Sequence, residues 1–353
     1  MLEQLIEIYG EGTLLVALGG IVGAVFGAAA QHSRFCLRAS TVELADGQMG
    51  PRLAVWLIAF SAAVASVQSA IWLGWLDVSD SRQIANVGSM SGAIIGGLMF
   101  GAGMILARGC ASRLLVLSAT GNLRAIVTGL VLTLVAQSAL RGALAPGREK
   151  LAALWSMPGG AARNMLSQVG LSTGIAALIG CCVLVAALVF AVKKGVRSSR
   201  IIAAVGVGLA VMLGWLGTYA IAMNSFEVIA ISSVTFTGPS TDTLMGLVNS
   251  TTLPMVFGVG LVPGVFVGAG LMALITKEAK IQRFGPDTPM ESYLVGAALM
   301  GFGSMLAGGC AVGAGMSGGA IFSLTAWVAV GCMWIGAMAT HVVLRRRTAL
   351  KVA

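Results

Sequence analysis

Two cysteines stand in nearly the same setting 200 residues apart. Cys110 ends the run GAGMILARGC (residues 101–110), and Cys310 ends GFGSMLAGGC (residues 301–310). Aligned from position 96 against 296, seven of fifteen residues are identical: the glycines at 96, 101, 103 and 109, Leu106, Ala107 and Cys110. Gly109 and Gly309 permit a sharp bend and leave backbone N–H groups approachable. The start of a short helix after such a bend carries unpaired N–H donors and partial positive charge, which favours an anion. A cysteine there adds a polarizable sulfur and a weak S–H donor. Serine or threonine would serve an oxyanion, so a repeated thiol points to a ligand with a soft sulfur or selenium atom.

A third cysteine, Cys36, lies in SRFCLR, a polar and basic setting. The stretch RFCLRAS (34–40) lies about 200 residues before TFTGPST (235–241), which sets Phe35 opposite Phe236 and Cys36 opposite Thr237. The candidate ligand-binding residues are therefore Cys36, Cys110 and Cys310, with Gly109 and Gly309. Arg34, Arg108 and Arg113 join them as an electropositive vestibule that draws an anion. Membrane-edge anchoring accounts for these arginines equally well. Thr237, Ser240 and Thr241 offer hydroxyl donors, with helix capping as the plainer account. Met104, Met305, Met316 and Asn249 read as packing, with soft thioethers along a sulfur path as the sharper alternative. Cys181, Cys182 and Cys332 lack flanking motifs and read as small buried hydrophobes.

Other chemistries find no support. The histidines are His32 and His341, and no Cys/His cluster has ligand spacing, so no metal or other cofactor is expected. No C-x-x-C occurs. A sulfurtransferase or thiol oxidoreductase would want a thiolate activated by a neighbouring base, and no histidine adjoins the motif cysteines. No catalytic residue is assigned.

The elements that must hold these residues are membrane helices. Of 353 residues 57% are hydrophobic and 10% charged, and the 49 glycines are about twice the usual share of roughly 7%. Apolar runs of about twenty residues recur throughout, the length that crosses a bilayer, and small residues let such helices pack closely. The fold class is an all-α integral membrane protein in a lipid bilayer. The net charge of +9 sits in short loops with no soluble domain, which argues against nucleic acid. With Glu3, Glu7 and Glu11 and no lysine or arginine, the N-terminal stretch does not read as a signal peptide.

Nine spans are expected at roughly 12–30, 52–75, 88–107, 124–140, 171–192, 200–222, 253–276, 290–307 and 323–343. Four re-entrant half-helix segments are expected at 33–48, 109–121, 225–250 and 309–321, where broken helices line a cavity inside the protein. With the C-terminus inside, inner connections hold seventeen lysines and arginines, from Arg34 to Lys351, against five outside: Arg82, Arg141, Arg148, Lys150 and Arg163. That bias sets the N-terminus outside. A single domain, 1–353, then consists of inverted repeats at about 12–140 and 200–343 around a connecting helix at about 171–192, a plan shared by many transporters. Glu43, Asp46, Glu227 and Asp242 flank the expected breaks, and no carboxylate falls at the centre of an ordinary span. Coupling to an ion gradient has no visible carrier in this reading.

QHSRFCL (31–37), GAGMILARGC and GFGSMLAGGC together resemble the three cysteine motifs of the YeeE/YedE membrane proteins, whose characterised members take up thiosulfate. The resemblance implies nine membrane helices plus short in-membrane segments, in two pseudo-symmetric halves with a narrow waist. It implies that Cys36, Cys110 and Cys310 line the path in a bacterial inner membrane and pass the ligand along S–H···S contacts. It also implies a TusA-like sulfur-carrier protein on the cytoplasmic side. Many relatives have Gly-Gly-Cys at both repeats, whereas the first copy here reads ARGC, with Arg113 three residues on. That departure leaves thiosulfate, another sulfur anion or a selenium species as the substrate.

Overall fold

A computed structural model describes residues 2–249, 253–283 and 290–352; the side chains of Asn249 and Lys351, named above, lie outside the described residues. Helices α1 (Leu2–Tyr9) and α2 (Glu11–Ser33) lead to a short α3 (Leu37–Ala45) and then α4 (Pro51–Trp72). A one-turn α5 (Arg82–Ala85) and strand β1 (Gly88–Ser89) precede α6 (Met90–Leu106), α7 (Ala111–Ala119) and α8 (Leu123–Arg141). Next come α9 (Ala145–Ala153), strand β2 (Ser156–Met157), a 3-10 turn (Gly160–Arg163) and α10 (Met165–Val169). The remainder is α11 (Thr173–Lys193), α12 (Ser198–Met223), α13 (Thr237–Asn249), α14 (Phe257–Ile275), α15 (Met290–Leu306), a π-helical segment (Ala311–Gly318) and α16 (Leu324–Val352).

Among the described residues nine segments are long and apolar enough to cross a membrane, matching the nine expected spans. Three of them, Glu11–Ala45, Met90–Ala119 and Met290–Gly318, take in a short helix beyond a break. The short helices α3, α7 and the π segment fall inside the stretches 33–48, 109–121 and 309–321. In the fourth stretch residues 225–236 are non-helical and only α13 is regular.

Glycine decides how the long helices meet. A Cβ built on Gly96 would fall 2.5 Å from the carbonyl oxygen of Gly303, and one on Gly103 would fall 2.5 Å from that of Gly296. Rising numbers on α6 thus meet falling numbers on α15, so these two helices pack antiparallel with their backbones in contact. On α2 the glycines at 19, 23 and 27 meet Phe257, Leu261 and Val265 in turn, so α2 and α14 run parallel. Small residues spaced by seven on α6 and by four on α2 make these contacts possible. Two further contacts come in matched form. Gly101 meets Met333 O and Ala337 N, while Gly301 meets Leu132 O and Ala136 N. Gly27 meets Val265 O and Ala269 N, while Gly208 meets Ala59 O and Ala63 N. The helix α11 lies at the edge of the bundle against α4.

The stretch between α8 and α11, counted above only as an outer connection, has structure of its own. Strands β1 and β2 pair antiparallel, Gly88 with Met157 and Ser89 with Ser156. The guanidinium of Arg163 is buried and donates to the carbonyls of Arg82 and Asn86 and to the hydroxyl of Thr325. Burial, with Arg82 nearby, pulls its pKa below the usual arginine value. Arg163 is therefore a clamp across three segments as well as a loop charge.

Candidate functional site

The three motif cysteines occupy one local geometry. Arg34, Arg108 and Gly308 each adopt a left-handed backbone, with φ of 57°, 54° and 81°. The residue after each closes the preceding helix by a bond reaching back five positions: Phe35 N–H to Ala30 O (3.1 Å), Gly109 N–H to Met104 O (3.2 Å) and Gly309 N–H to Ser304 O (2.9 Å). This is the Schellman way of ending a helix. One residue further on stand Cys36, Cys110 and Cys310, each with extended backbone at the N-cap of the next helix.

That geometry corrects the expectation for the motif glycines. The N–H groups of Gly109 and Gly309 are engaged by the preceding helix, so the donors that face outward belong to the start of the following one. The two glycines also differ. A Cβ on Gly309 would meet Ala314 N at 2.8 Å, whereas one on Gly109 would meet nothing closer than the Leu114 side chain at 3.5 Å. At position 108 an arginine holds the left-handed conformation that glycine holds at 308, a strain of about 1–2 kcal/mol. Its guanidinium lies over the Tyr293 ring, 5.9 Å from the centroid, with Arg124 on the same ring at 5.8 Å.

The thiols of Cys110 and Cys310 are almost fully buried, and Cys36 is partly exposed. Cys110 Sγ lies 3.3 Å from Ser112 Oγ. Cys310 Sγ accepts from Gly313 N–H at 3.5 Å, so the sulfur itself caps the π segment. The helix α7, which Cys110 begins, packs against α2 and against the π segment that Cys310 begins, so the structure brings the cysteine breaks together. Cys181 and Cys182 are exposed on α11 and Cys332 is half-buried. The expectation that these three are buried hydrophobes is thus wrong for the α11 pair, because that helix sits at the edge of the bundle.

Two cavities approach the cysteines from opposite ends of α2 and α14. One, of about 900 Å³, is lined by Gln31 and Ser33 at the end of α2 and by Lys277 and Glu278 just past α14. Cys36, Arg34, Arg108 and Arg113 line it too, with Arg38, Arg52, Arg197, Arg200, Lys194 and Lys280. Among the described residues, ten cationic side chains thus face a single carboxylate, Glu278. Arg34 pairs with Glu278 at 2.8 Å, Gln31 donates to the same carboxylate at 2.8 Å, and Arg113 donates to Gln31 at 3.4 Å. The Arg34 guanidinium holds the Glu278 carboxyl below the usual carboxylate range. Gln31 opens the QHSRFCL motif but is given no role there, while Glu278 and the basic loop 194–200 have no motif to betray them; only the fold brings these last to Cys36.

The other cavity, of about 630 Å³, is lined by Glu11 and Leu15 near the start of α2, by Phe257 at the start of α14, and by Gly308 and Gly309. Glu227, Asp242, Arg82 and Arg148 give it mixed charge, and Met305 lines it as well. Cys110 and Cys310 line neither cavity. Met104 and Met316 are fully buried, consistent with packing.

The fourth break departs from its expected pairing. Phe35 and Phe236 both pack on Phe26, with ring centroids at 6.5 and 5.0 Å. However, Ser240 N–H bonds Phe236 O (2.9 Å) as Ser40 N–H bonds Cys36 O (3.3 Å). Phe236, not Thr237, therefore stands where Cys36 stands, and the alignment is displaced by one residue. Thr237 is buried, lines neither cavity, and leaves its Oγ1 without a hydrogen-bond partner. Two of the flanking carboxylates are structural: Glu43 accepts from the N–H groups of Arg52 and Leu53 at the start of α4, and Asp46 pairs with His341 and Arg345.

Comparison with known proteins agrees with the three motifs. A thiosulfate transporter named TsuA from Escherichia coli (strain K12) is 25% identical over 346 residues, spanning 91% of this chain and 92% of its own. A protein of the same name from Spirochaeta thermophila (strain ATCC 700085 / DSM 6578 / Z-1203) is 27% identical over 338 residues, spanning 89% of this chain and 94% of its own. The family model described as sulphur transport matches residues 32–339, from just before Cys36 to well beyond Cys310, and the chain belongs to that family.

Proposed function

We propose that the protein carries thiosulfate, or a closely related anion with a terminal soft sulfur, across the membrane between the two cavities. The observation that carries this reading is the placement of Cys110 and Cys310, buried between a cavity that reaches Cys36 and one that reaches Gly308–Gly309. The ligand would enter at the mixed-charge cavity, pass Cys310 and then Cys110 on S–H contacts, and leave past Cys36 into the basic cavity. Ten cations around that exit favour a dianion. The start of α7 offers partial positive charge beside Cys110.

In this reading the two halves are inverted repeats. The antiparallel contact of α6 with α15 and the matched glycine contacts support it, because equivalent helices must run oppositely if the halves are inverted. The basic cavity then faces the cytoplasm, where a TusA-like carrier would receive the sulfur. No covalent step is assigned to the thiols. The same donors would hold a selenium analogue, so the substrate needs a direct test. Uptake of radiolabelled thiosulfate, sulfate and selenite into cells lacking other importers should show thiosulfate accumulation that sulfate does not share. Equal uptake of sulfate would contradict a path selective for soft sulfur.

A further inference from the structure

A third cavity, of about 390 Å³, lies between α7, α8, α13 and α14 and shares no residue with the other two. Its wall is mostly hydrocarbon, including Leu114 and Leu115 of α7 and Leu244 of α13. Its rim carries exposed Leu130 of α8 and Phe266 of α14, both on segments apolar enough to cross a membrane. Its volume falls within the range of about 300–1,000 Å³ typical of small-molecule sites.

The matched glycine contacts show why this space exists. Gly101 and Gly301, which occupy the same place in the cysteine repeat, relate α16 to residues 201 positions earlier on α8. Around the π segment, the counterpart of α7, four rings pack together. Trp56 stacks on Phe60 at 5.1 Å, Trp334 meets Trp56 edge-on at 5.0 Å, and Trp327 meets Phe60 edge-on at 5.4 Å. The same shift carries Trp334 and Trp327 onto Thr133 and Ile126. Both of these line the cavity. Two of the four rings are thus replaced by smaller side chains, and the gap includes the volume they would fill.

We propose that one acyl chain of a membrane phospholipid occupies this cavity and braces α7, the helix that Cys110 caps. The inference uses the register between the halves and does not depend on which anion is carried. An empty gap would leave Leu114 and Leu115 without dispersion partners on one side, and a cavity walled by hydrocarbon does not hold water. The rim faces the apolar flank of the bundle, where acyl chains are the solvent. Thr237 Oγ1 and Thr243 Oγ1, in the same wall, lack hydrogen-bond partners among the described residues. Both oxygens are buried within the wall rather than open to the cavity, so the space itself presents hydrocarbon.

The test uses the full chain in vesicles of phosphatidylethanolamine and phosphatidylglycerol, with a phosphatidylethanolamine bearing a diazirine in its acyl chain. Irradiation and peptide mapping should place label on residues 111–118, where Leu114 is only 3% exposed, and none on residues 311–318. Thr237→Val should keep the label. Ile126→Trp with Thr133→Trp, or Val262→Phe alone, should lose it on α7 while exposed α11 stays labelled. Absence of label on residues 111–118 in the unaltered protein would overturn the proposal, and this readout needs no variant to fold. Equal labelling of residues 311–318, loss of label in Thr237→Val, or undiminished label in a folded, filled variant would overturn it as well.

Discussion

Gly96 of α6 and Gly303 of α15 meet backbone to backbone: a Cβ on Gly96 would lie 2.5 Å from Gly303 O, and one on Gly303 would lie 2.7 Å from Gly96 O. Neither carbonyl can retreat without moving a whole helix. Gly96→Val and Gly303→Val should therefore each lose about 1–3 kcal/mol, the usual cost of overfilling a packed interior. Thermal unfolding in detergent measures this. Gly109→Ala, whose Cβ meets only the Leu114 side chain at 3.5 Å, should be well tolerated, and Gly309→Ala should not.

The motif cysteines are separable from the rest. Cys110→Ala and Cys310→Ala should abolish thiosulfate uptake while the protein still reaches the membrane folded. Cys181→Ala and Cys182→Ala, on the exposed face of α11, and Cys332→Ala should transport nearly normally. Equal loss across all five variants, at matched expression, would remove any special role for the buried pair.

Glu278 is the one carboxylate among the described residues on the wall of the basic cavity, and Arg34 holds its pKa down. Since the folded carboxyl titrates lower than the unfolded one, the pair's contribution is complete above the ordinary glutamate value of 4.5. It is lost as pH falls through the lower folded value. The pair is partly exposed, so that contribution stays within about 1 kcal/mol. Glu278→Gln should thus cost at most about 1 kcal/mol above pH 5, where the pair is fully formed, and less as pH falls, but it should strengthen anion binding from the basic side. Binding measured at low and at physiological salt should show the gain shrinking as the Debye length falls to about 8 Å.

The charge split makes a topological prediction. Reporter fusions after Leu350 should be active in the cytoplasm and fusions ahead of Glu3 outside it. A C-terminus outside would place the ten cations around Cys36 on the wrong face and undo the inverted arrangement.

Much of the frame was legible because period and composition are local properties. Apolar runs gave nine spans, and the glycines before Cys110 and Cys310 gave breaks that the structure places at Arg108 and Gly308. The role of those glycines was not legible. Whether a glycine N–H points at a ligand or closes a helix depends on backbone angles, and here both close helices. Cys181 and Cys182 were misjudged because an all-apolar helix gives no sign of which neighbours it will have. Gln31, Glu278 and Arg197 reach the basic cavity through contacts spanning the chain, which no spacing rule records. The one-residue slip at Thr237 has a simpler cause: one shared phenylalanine cannot fix a register.

Serine substitution tests the central claim most directly. Cys310 Sγ already caps the π segment by accepting from Gly313 N–H, and serine is the stronger N-cap, so Cys310→Ser should keep the local fold. Cys110→Ser likewise keeps a partner in Ser112, 3.3 Å from the present sulfur. What serine removes is the soft S–H contact, and the hydroxyl put in its place is a harder donor that these partners already engage. The measurement is initial thiosulfate uptake by Cys110→Ser and Cys310→Ser at matched expression. The account predicts rates as low as those of the alanine variants. Uptake at the level of the unaltered protein in both would show that the helix starts alone carry the anion and that soft-sulfur contact is unnecessary.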